Sequence, residues 1–512
     1  MSALAVDIGT SLIKTVVFDD DGREAALSRV ATEVRRPHPG WAEQDMDAVW
    51  NAIVATIREA RTRVSGPVRF LALTGQGDGC WLVDRQGRPT GPAVLWSDGR
   101  AADIVERWRR DGVLEEAFRV NGSLTFPGLP NAILAWLAEH DPDRLERSAT
   151  ALYCDGWAFL RLTGRVAVDA SDASAPFLDL GTRGYAPAIP SLFGLDWAKR
   201  FLPEVLGDGR RLGELTAEAA AELGLPTGLP VVIAPYDVAA TALGVGATSP
   251  GQACTILGTT LCTEVVRDGA DTSGEPCGLT IALDTGDHVL RAFPTLAGTE
   301  VITWAMRLLG LSAPEHLGEL ARQSPAGARG LMFLPYLSPA GERAPFLDPH
   351  ARGTLWGLTS EHSAADVARA VLDGLSLVIR DCLVASGADT DELRLCGGGA
   401  SSDVWSGLIA DVTGVPTARS TDAEVGAKGA FLCGLVATGA EPDVASAAER
   451  YVRVRSASEP DRELSAFYDA LYEDFLNIRE VSSPGWQRLA AAAEPPGKAL
   501  PQTVRPVEDG RV

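Results

Sequence analysis

The chain has 512 residues, 46% hydrophobic and 22% charged, more than one ordinary core holds, so two domains are expected. A formal net charge of −22 argues against nucleic acid or an anionic membrane as the main partner, because both need a basic face. No apolar run reaches membrane-spanning length, no basic-then-apolar leader precedes the first strand, and the eight cysteines and six histidines show no CxxC or HxxxH spacing. These features predict a cytoplasmic protein with reduced, mostly buried thiols.

In chain order, Leu4–Val6 and Thr15–Phe18 read as two strands of an opening hairpin, and Arg23–Thr32 as a third strand. A helix is predicted over Asp47–Val64 from the helical spacing of Val49, Ile53, Val54 and Ile57, with Asp47 as its N-cap. Val68–Leu73 reads as a buried strand ending at Thr74-Gly-Gln-Gly-Asp-Gly79, with a further strand at Cys80–Val83. Helices are expected over Ala101–Asp111 and Leu129–Glu139. Val231–Ala234 reads as a strand that leads through Pro235-Tyr-Asp237 into a small-residue helix, Val238–Gly246. So many Ala and Gly suit close backbone packing near a domain junction; an ordinary Ala-rich core helix is the alternative.

The second half restarts the pattern. Ala253–Leu257, Gly258-Thr-Thr260 and Cys262–Val266 repeat strand, Gly-hydroxyl turn, strand. A long helix over Ala364–Ser386, a strand over Glu392–Cys396, a Gly-rich turn over Gly397–Ser402 and helices over Asp403–Thr413 and Gly426–Thr438 follow. From about Ser482 the chain turns to Pro, Ala and charge without period, so residues 481–512 are expected to form a poorly ordered tail.

Asp7-Ile-Gly-Thr-Ser-Leu-Ile-Lys14 carries the most chemistry. Its turn gathers backbone N–H groups and two hydroxyls at one tip, which suits a phosphate. Asp7 stands where a hydrated Mg²⁺ would sit, and Lys14 offers a positive charge. An ordinary hairpin would use the same glycine turn. Asp237 follows a strand and opens a helix, at the strand end where open α/β sheets place ligands. There it could take a proton from an attacking hydroxyl, or only cap its helix. Gln76-Gly-Asp78 and Trp96-Ser-Asp98 with Arg100 suit a polyhydroxy ligand, with amide and carboxylates for hydroxyls and an indole for the carbon face. Turn chemistry and a helix start are the plain alternatives.

Taken as an ordered series over roughly residues 1–480, these segments resemble the FGGY carbohydrate kinase family. The most specific stretch is Gly341-Glu-Arg-Ala-Pro345, Gly353-Thr-Leu-Trp-Gly357-Leu358 and Asp366-Val-Ala-Arg-Ala-Val-Leu-Asp373, which satisfies the family's second signature. The resemblance implies an α/β, two-domain, actin-like (ribonuclease-H-like) fold with the ATP cleft between the domains. Residues 1–247 would form the sugar-binding domain with the first phosphate motif, and residues 248–480 the nucleotide-binding domain. It further implies transfer of the ATP γ-phosphoryl group to a terminal hydroxyl of a small polyol or ketopentose. Asp237 would be the base. Gln76, Gly77, Asp78, Trp96 and Asp98 would surround the substrate. Gly9, Thr10, Ser11, Lys14, Gly258, Thr259 and Thr260 would contact the phosphates, Gly398, Gly399, Ala400 and Ser402 the adenosine, and Asp7 Mg²⁺. A homodimer is compatible with the resemblance.

Typical D-xylulokinases carry Met-His where this chain has Gly77-Asp78, and glycerol kinases carry Arg-Glu. Thr74–Gly79, Trp81–Asp84 and Tyr153-Cys-Asp155-Gly-Trp157 are closer to erythritol kinases and somewhat to L-xylulose kinases. Loss of the bulky pair is expected to open or re-polarise the pocket. D-xylulokinase proper, and a nucleotide-regulated actin-like interaction protein without catalysis, are the alternatives.

Overall fold

The computed structural model describes residues 2–63, 66–207, 211–283 and 285–492. Two mixed sheets organise the chain, and each is built on the same plan. In the first, the strands run in the order Leu212–Glu214, Pro230–Ile233, Val68–Gly75, Ser2–Ile8, Leu12–Phe18 and Glu24–Ala31. Ser2–Ile8 pairs antiparallel with Leu12–Phe18 and parallel with Val68–Gly75. In the second, the order is Leu279–Ala282, Val289–Pro294, Leu261–Arg267, Gln252–Leu257, Glu392–Cys396, Thr417–Ser420 and Val454–Ser458. Here Gln252–Leu257 pairs antiparallel with Leu261–Arg267 and parallel with Glu392–Cys396. The strand–turn–strand echo read in the sequence is thus a duplicated sheet, with one Gly-hydroxyl tip per copy.

The strands at the sheet centres are buried on both faces, and so read as apolar runs rather than alternating patterns. The first sheet's outer face is covered by the helix Met46–Thr62. That helix begins one residue before the expected start, because the Asp45 carboxylate, not that of Asp47, accepts the Ala48 N–H at 3.1 Å. The expected end at Val64 lies outside the described residues. All eight cysteines are buried. No helix among the described residues is long and apolar enough to cross a membrane.

Between the sheets, the helices Asp237–Gly244 and Val425–Ala437 cross backbone on backbone. A Cβ on Gly244 would overlap the Val425 carbonyl, and one on Gly429 would overlap the Ala240 carbonyl and lie 3.0 Å from its Cα. Glycine stands at these positions because no side chain fits. The small-residue composition of Val238–Gly246 therefore marks a junction between the two halves. Lys428, on the second helix, is fully buried and donates to the Gly22 carbonyl at 2.6 Å.

The expected disordered tail is corrected over its first part. Residues 481–492 continue the helix Arg462–Ala492. Trp486 is buried, its Nε1 donates to Thr354 Oγ1 at 3.1 Å, and Ser483 Oγ donates to Asp348 at 2.9 Å. These anchors outweigh Pro484, which interrupts the helical hydrogen bonds. Residues 493–512 lie outside the described residues.

Gly429→Ala should lower the thermal midpoint by roughly 3–8 °C through overpacking at this crossing. Gly407→Ala, in the Asp403–Thr413 helix with no atom within 4 Å of the added Cβ, should raise it by roughly 1–3 °C. Scanning calorimetry of both variants checks the pair; equal shifts would remove the distinction.

Candidate active site

The first tip is a tight turn. A Cβ on Gly9 would lie 2.8 Å from the Leu12 carbonyl. The Thr10 carbonyl is drawn back by Thr32 Oγ1 and Gln44 Nε2, both at 2.7 Å, which leaves the tip's amides for an incoming anion. Ser11 is exposed at the apex. At the second tip, the Thr299 N–H donates to Gly258 O at 2.9 Å and the Glu300 N–H to Thr259 O at 3.2 Å. The start of the Thr299–Leu309 helix thereby fixes Gly258, Thr259 and Thr260 in place.

A cavity of about 210 Å³ lies between the halves, with Thr10, Gly77, Asp78, Trp96, Asp237 and Thr260 in its wall. Asp237 is the first residue of its helix, and its Oδ1 accepts the Val238 N–H at 2.8 Å. Burial, then the charge of Asp7, pushes its pKa up to about 8. Burial also raises Asp78, to about 7, against the opposing pull of the Arg343 guanidinium. Asp7 rises to about 6 through burial; Lys14, 3.8 Å away, lowers it, and Glu424 raises it.

A second groove, of about 490 Å³, opens beside the first tip, with Lys14, Gly397, Gly398, Ala400, Glu424 and Arg455 among its walls. Lys14 Nζ lies 2.6 Å from Glu424 across the two halves. Gly399 and Ser402 do not face this groove. A Cβ on Gly399 would meet the Trp405 ring at 2.6 Å, and the Ser402 hydroxyl accepts the Trp405 N–H as a helix cap.

Two further expectations are corrected. Gln76 is buried and does not line the cavity. Its Oε1 accepts the Thr10 hydroxyl at 2.7 Å and its Nε2 donates to Gln44 at 2.8 Å. Asp98 is buried too, its carboxylate filled by the Ala42 N–H, the Arg100 N–H and the Arg100 guanidinium, all between 2.6 and 2.9 Å. Both brace the walls instead of facing the space. Trp96 does both: it lines the cavity while its Nε1 donates to Thr10 Oγ1 at 3.0 Å.

Residues 2–244 match the N-terminal domain of the FGGY family of carbohydrate kinases, and residues 255–438 match the family's C-terminal domain. The chain belongs to that family. It is 32% identical over 509 residues to erythritol kinase of Brucella abortus (strain 2308), covering 95% of this chain and 98% of that one. Xylulose kinase of Escherichia coli (strain K12) is 31% identical, covering 94% and 99%. The crystal structure of xylulose kinase from Rhodospirillum rubrum matches with a TM-score of 0.87 at 28% identity, covering 95% of this chain and 100% of that one. The protein is thus a carbohydrate kinase, a phosphotransferase with an alcohol group as acceptor, on a two-domain actin-like fold.

Among the cavity-lining residues that the sequence reading does not single out are Phe126, Tyr236 and Arg343. Tyr236 and Arg343 stand inside quoted motifs, next to Asp237 and within Gly341–Pro345, which was the available signal; Phe126 had none. The expected opening at Gly77 is also corrected. A Cβ there would fall inside the Tyr236 ring, 2.7 Å from its Cγ. The ring occupies the space that a side chain at residue 77 would take.

The raised carboxylates carry a consequence for stability. Asp237 has its pKa raised from 3.8 to about 8, so the folded ligand-free state holds that proton more tightly than the unfolded chain. Its contribution is fully present below pH 3.8 and is lost as pH rises through about 8. Asp237→Asn, which cannot ionise, should therefore melt above the wild type. The gap should widen between pH 5 and pH 8 to on the order of 5 °C, then level off. A gap independent of pH would refute the assignment.

Proposed function

We propose that this kinase transfers the γ-phosphoryl group of ATP to a terminal hydroxyl of a small, neutral polyol or ketose of erythritol or xylulose type. ATP is the phosphoryl donor expected of FGGY kinases. The observation that carries the acceptor class is the cavity itself. About 210 Å³ falls below the range of drug-sized sites. Two carboxylates, Asp78 and Asp237, face a single guanidinium, Arg343. The two carboxyl groups exchange hydrogen bonds with substrate hydroxyls, and as they ionise around neutral pH they oppose a sugar acid, while Trp96, Phe126 and Tyr236 cover carbon faces.

In this reading Asp237 orients the attacking hydroxyl and accepts its proton. A pKa near 8 in the empty site makes it basic enough for that task close to neutral pH. The tips at Gly9–Ser11 and Gly258–Thr260 hold the phosphates by backbone amides and hydroxyls. Lys14, beside Asp7 and Glu424, adds the positive charge nearest the first tip. The groove past Gly397, Gly398 and Ala400 receives the adenosine.

Asp7 is the residue that would hold Mg²⁺. Among the described residues no cluster of three or more His, Cys, Asp or Glu could form a metal cage. One half-buried carboxylate by a phosphate tip fits an ion that keeps most of its waters and takes its other ligands from phosphate. When bound, Mg²⁺ neutralises charge developing on the phosphoryl oxygens. The chain's own part is positioning and exclusion of water, because the transition state asks for little covalent help.

A coupled ADP-release assay across glycerol, tetritols, pentitols, pentuloses, hexitols and aldonic acids tests the acceptor class. Turnover should be confined to short neutral acceptors; preference for an acid would overturn the reading. Asp237→Asn should lower turnover about a thousandfold or more with the nucleotide dissociation constant within about twofold. Full activity would remove Asp237 as the base.

Asp78→Asn tests the coupling between the two acids. The negative charge of Asp78 raises the pKa of Asp237, so neutralising it lets Asp237 lose its proton at lower pH. The acidic limb of the kcat/KM profile should move to lower pH; a limb moved upward would contradict the arrangement.

A further inference from the structure

Residue 236 is held more firmly than a pocket-lining side chain needs to be. Its N–H donates to Ser171 Oγ at 3.0 Å, and its carbonyl accepts the Ala240 N–H at 2.9 Å. Both Ser171 and Tyr236 are buried. The backbone is therefore pinned on both sides, and the ring packs against residue 77, where only glycine leaves it room. Among the described residues the Tyr236 hydroxyl has no hydrogen-bond partner, and Tyr236 lines the same cavity as Asp78 and Asp237. A phenol donor with no partner in a polar cavity is open to a ligand hydroxyl. Burial and those two neighbouring carboxylates hold its pKa well above the usual tyrosine value, so it remains a donor at any pH where the enzyme works.

We infer that Tyr236 determines which acceptors the site takes, by closing the cavity over Gly77 against longer carbon chains and by donating its hydroxyl to an acceptor oxygen. This rests on the acceptor-site reading proposed above. The Gly77–Tyr236 pair works as a unit: the side chain absent at 77 is replaced by a rigid ring entering from the segment that carries Asp237. Filling the space from that segment couples the length limit to the position of the base. An acceptor that pushes the ring also disturbs the residue beside it. A group matched by a snug apolar wall is discriminated by about 10–200-fold per methylene, and a site built for a hydroxyl rejects more strongly still.

Two readouts separate this inference from the reading it rests on. Acceptor binding is measured by isothermal titration calorimetry in the presence of ADP, and turnover by ADP release, each with erythritol, D-xylulose, L-xylulose and sorbitol. Tyr236→Phe keeps the ring and removes the donor. It should raise KM and Kd for the best acceptor about tenfold, with kcat within about threefold. Tyr236→Ala and Tyr236→Leu remove the wall. Each should raise the sorbitol-to-best-acceptor ratio of kcat/KM, and of affinity, at least tenfold. Unchanged nucleotide affinity shows that a variant has kept its fold. If wild type binds these acceptors but does not phosphorylate them, phosphoryl transfer falls while the binding ratios still decide on Tyr236. If wild type binds none of them, both fall. The wild-type ranking retained in Tyr236→Leu, with Tyr236→Phe indistinguishable from wild type, overturns the inference alone.

Discussion

The contact between the helices Asp237–Gly244 and Val425–Ala437 is what the rest of the site depends on. Two backbones meet where Gly244 faces the Val425 carbonyl and Gly429 faces the Ala240 carbonyl, so the approach is set by main-chain atoms rather than by adjustable side chains. The first helix begins with Asp237. The second opens beside Asp7, whose Oδ2 is 3.6 Å from where a Cβ on Gly426 would stand. Glu424, just before it, takes Lys14, and Lys428 within it reaches the Gly22 carbonyl. One crossing thus fixes Asp237 and Asp7 and ties the second half to the first hairpin. Lys428 is fully buried, and its charge is met by Asp422 at 3.2 Å. Breaking that pair would leave an isolated ion in the interior, at a cost of several kcal/mol.

The same geometry concentrates like charge. Asp7, Asp78, Asp155 and Asp237 all have raised pKa values, in each case first through burial, and Asp237 feels the other three. A ligand-free site of this kind is electrostatically unfavourable, and the positive charge at hand, Lys14 and Arg343, is shared among several acids. Groups arranged this way bind cations and hydroxyl donors better than they tolerate an empty cleft. The stability given up in the empty protein is therefore tied to the ligands it takes.

Much of the fold could be read from residue order, because hydrophobic period and glycine turns are local signals. Glu392–Cys396 and Asp403–Thr413 occur with the expected limits, and the echo at Gly258–Thr260 became a duplicated sheet. The grouping of Thr10, Gly77, Asp78, Trp96, Asp237 and Thr260 around one cavity was legible for the same reason. Gln76 and Asp98 had the right chemistry in the right segments, yet their side chains are taken by Gln44 and by the Ala42 N–H, which lie far back in the chain. Saturation of that kind is a tertiary fact. Tyr236 was hidden for the opposite reason, since nothing local says that a ring fills the space beside a glycine 159 positions earlier (236 − 77). The helix over residues 481–492 runs against its composition because Trp486 and Ser483 find partners near residues 348–354.

Asp78 shows why the loop over Gly77–Gly79 has the sequence it has. Its backbone is left-handed, with φ +54°, and Gly79 follows at φ +71°. For most residues that conformation costs about 1–2 kcal/mol, while Asp and Asn adopt it more readily. Gly79 has no alternative, since a Cβ would lie 2.6 Å from the Val94 carbonyl. With Gly77 held open for the Tyr236 ring, only the middle position of Gly-Asp-Gly can carry a side chain, and there a left-handed turn presents it to the cavity. A long or β-branched residue at 78 would meet the full backbone cost. An aspartate meets less of it, and it lines the same wall as Arg343. Shape and charge at this loop therefore have a common origin in two flanking glycines, each excluded from substitution by a different neighbour.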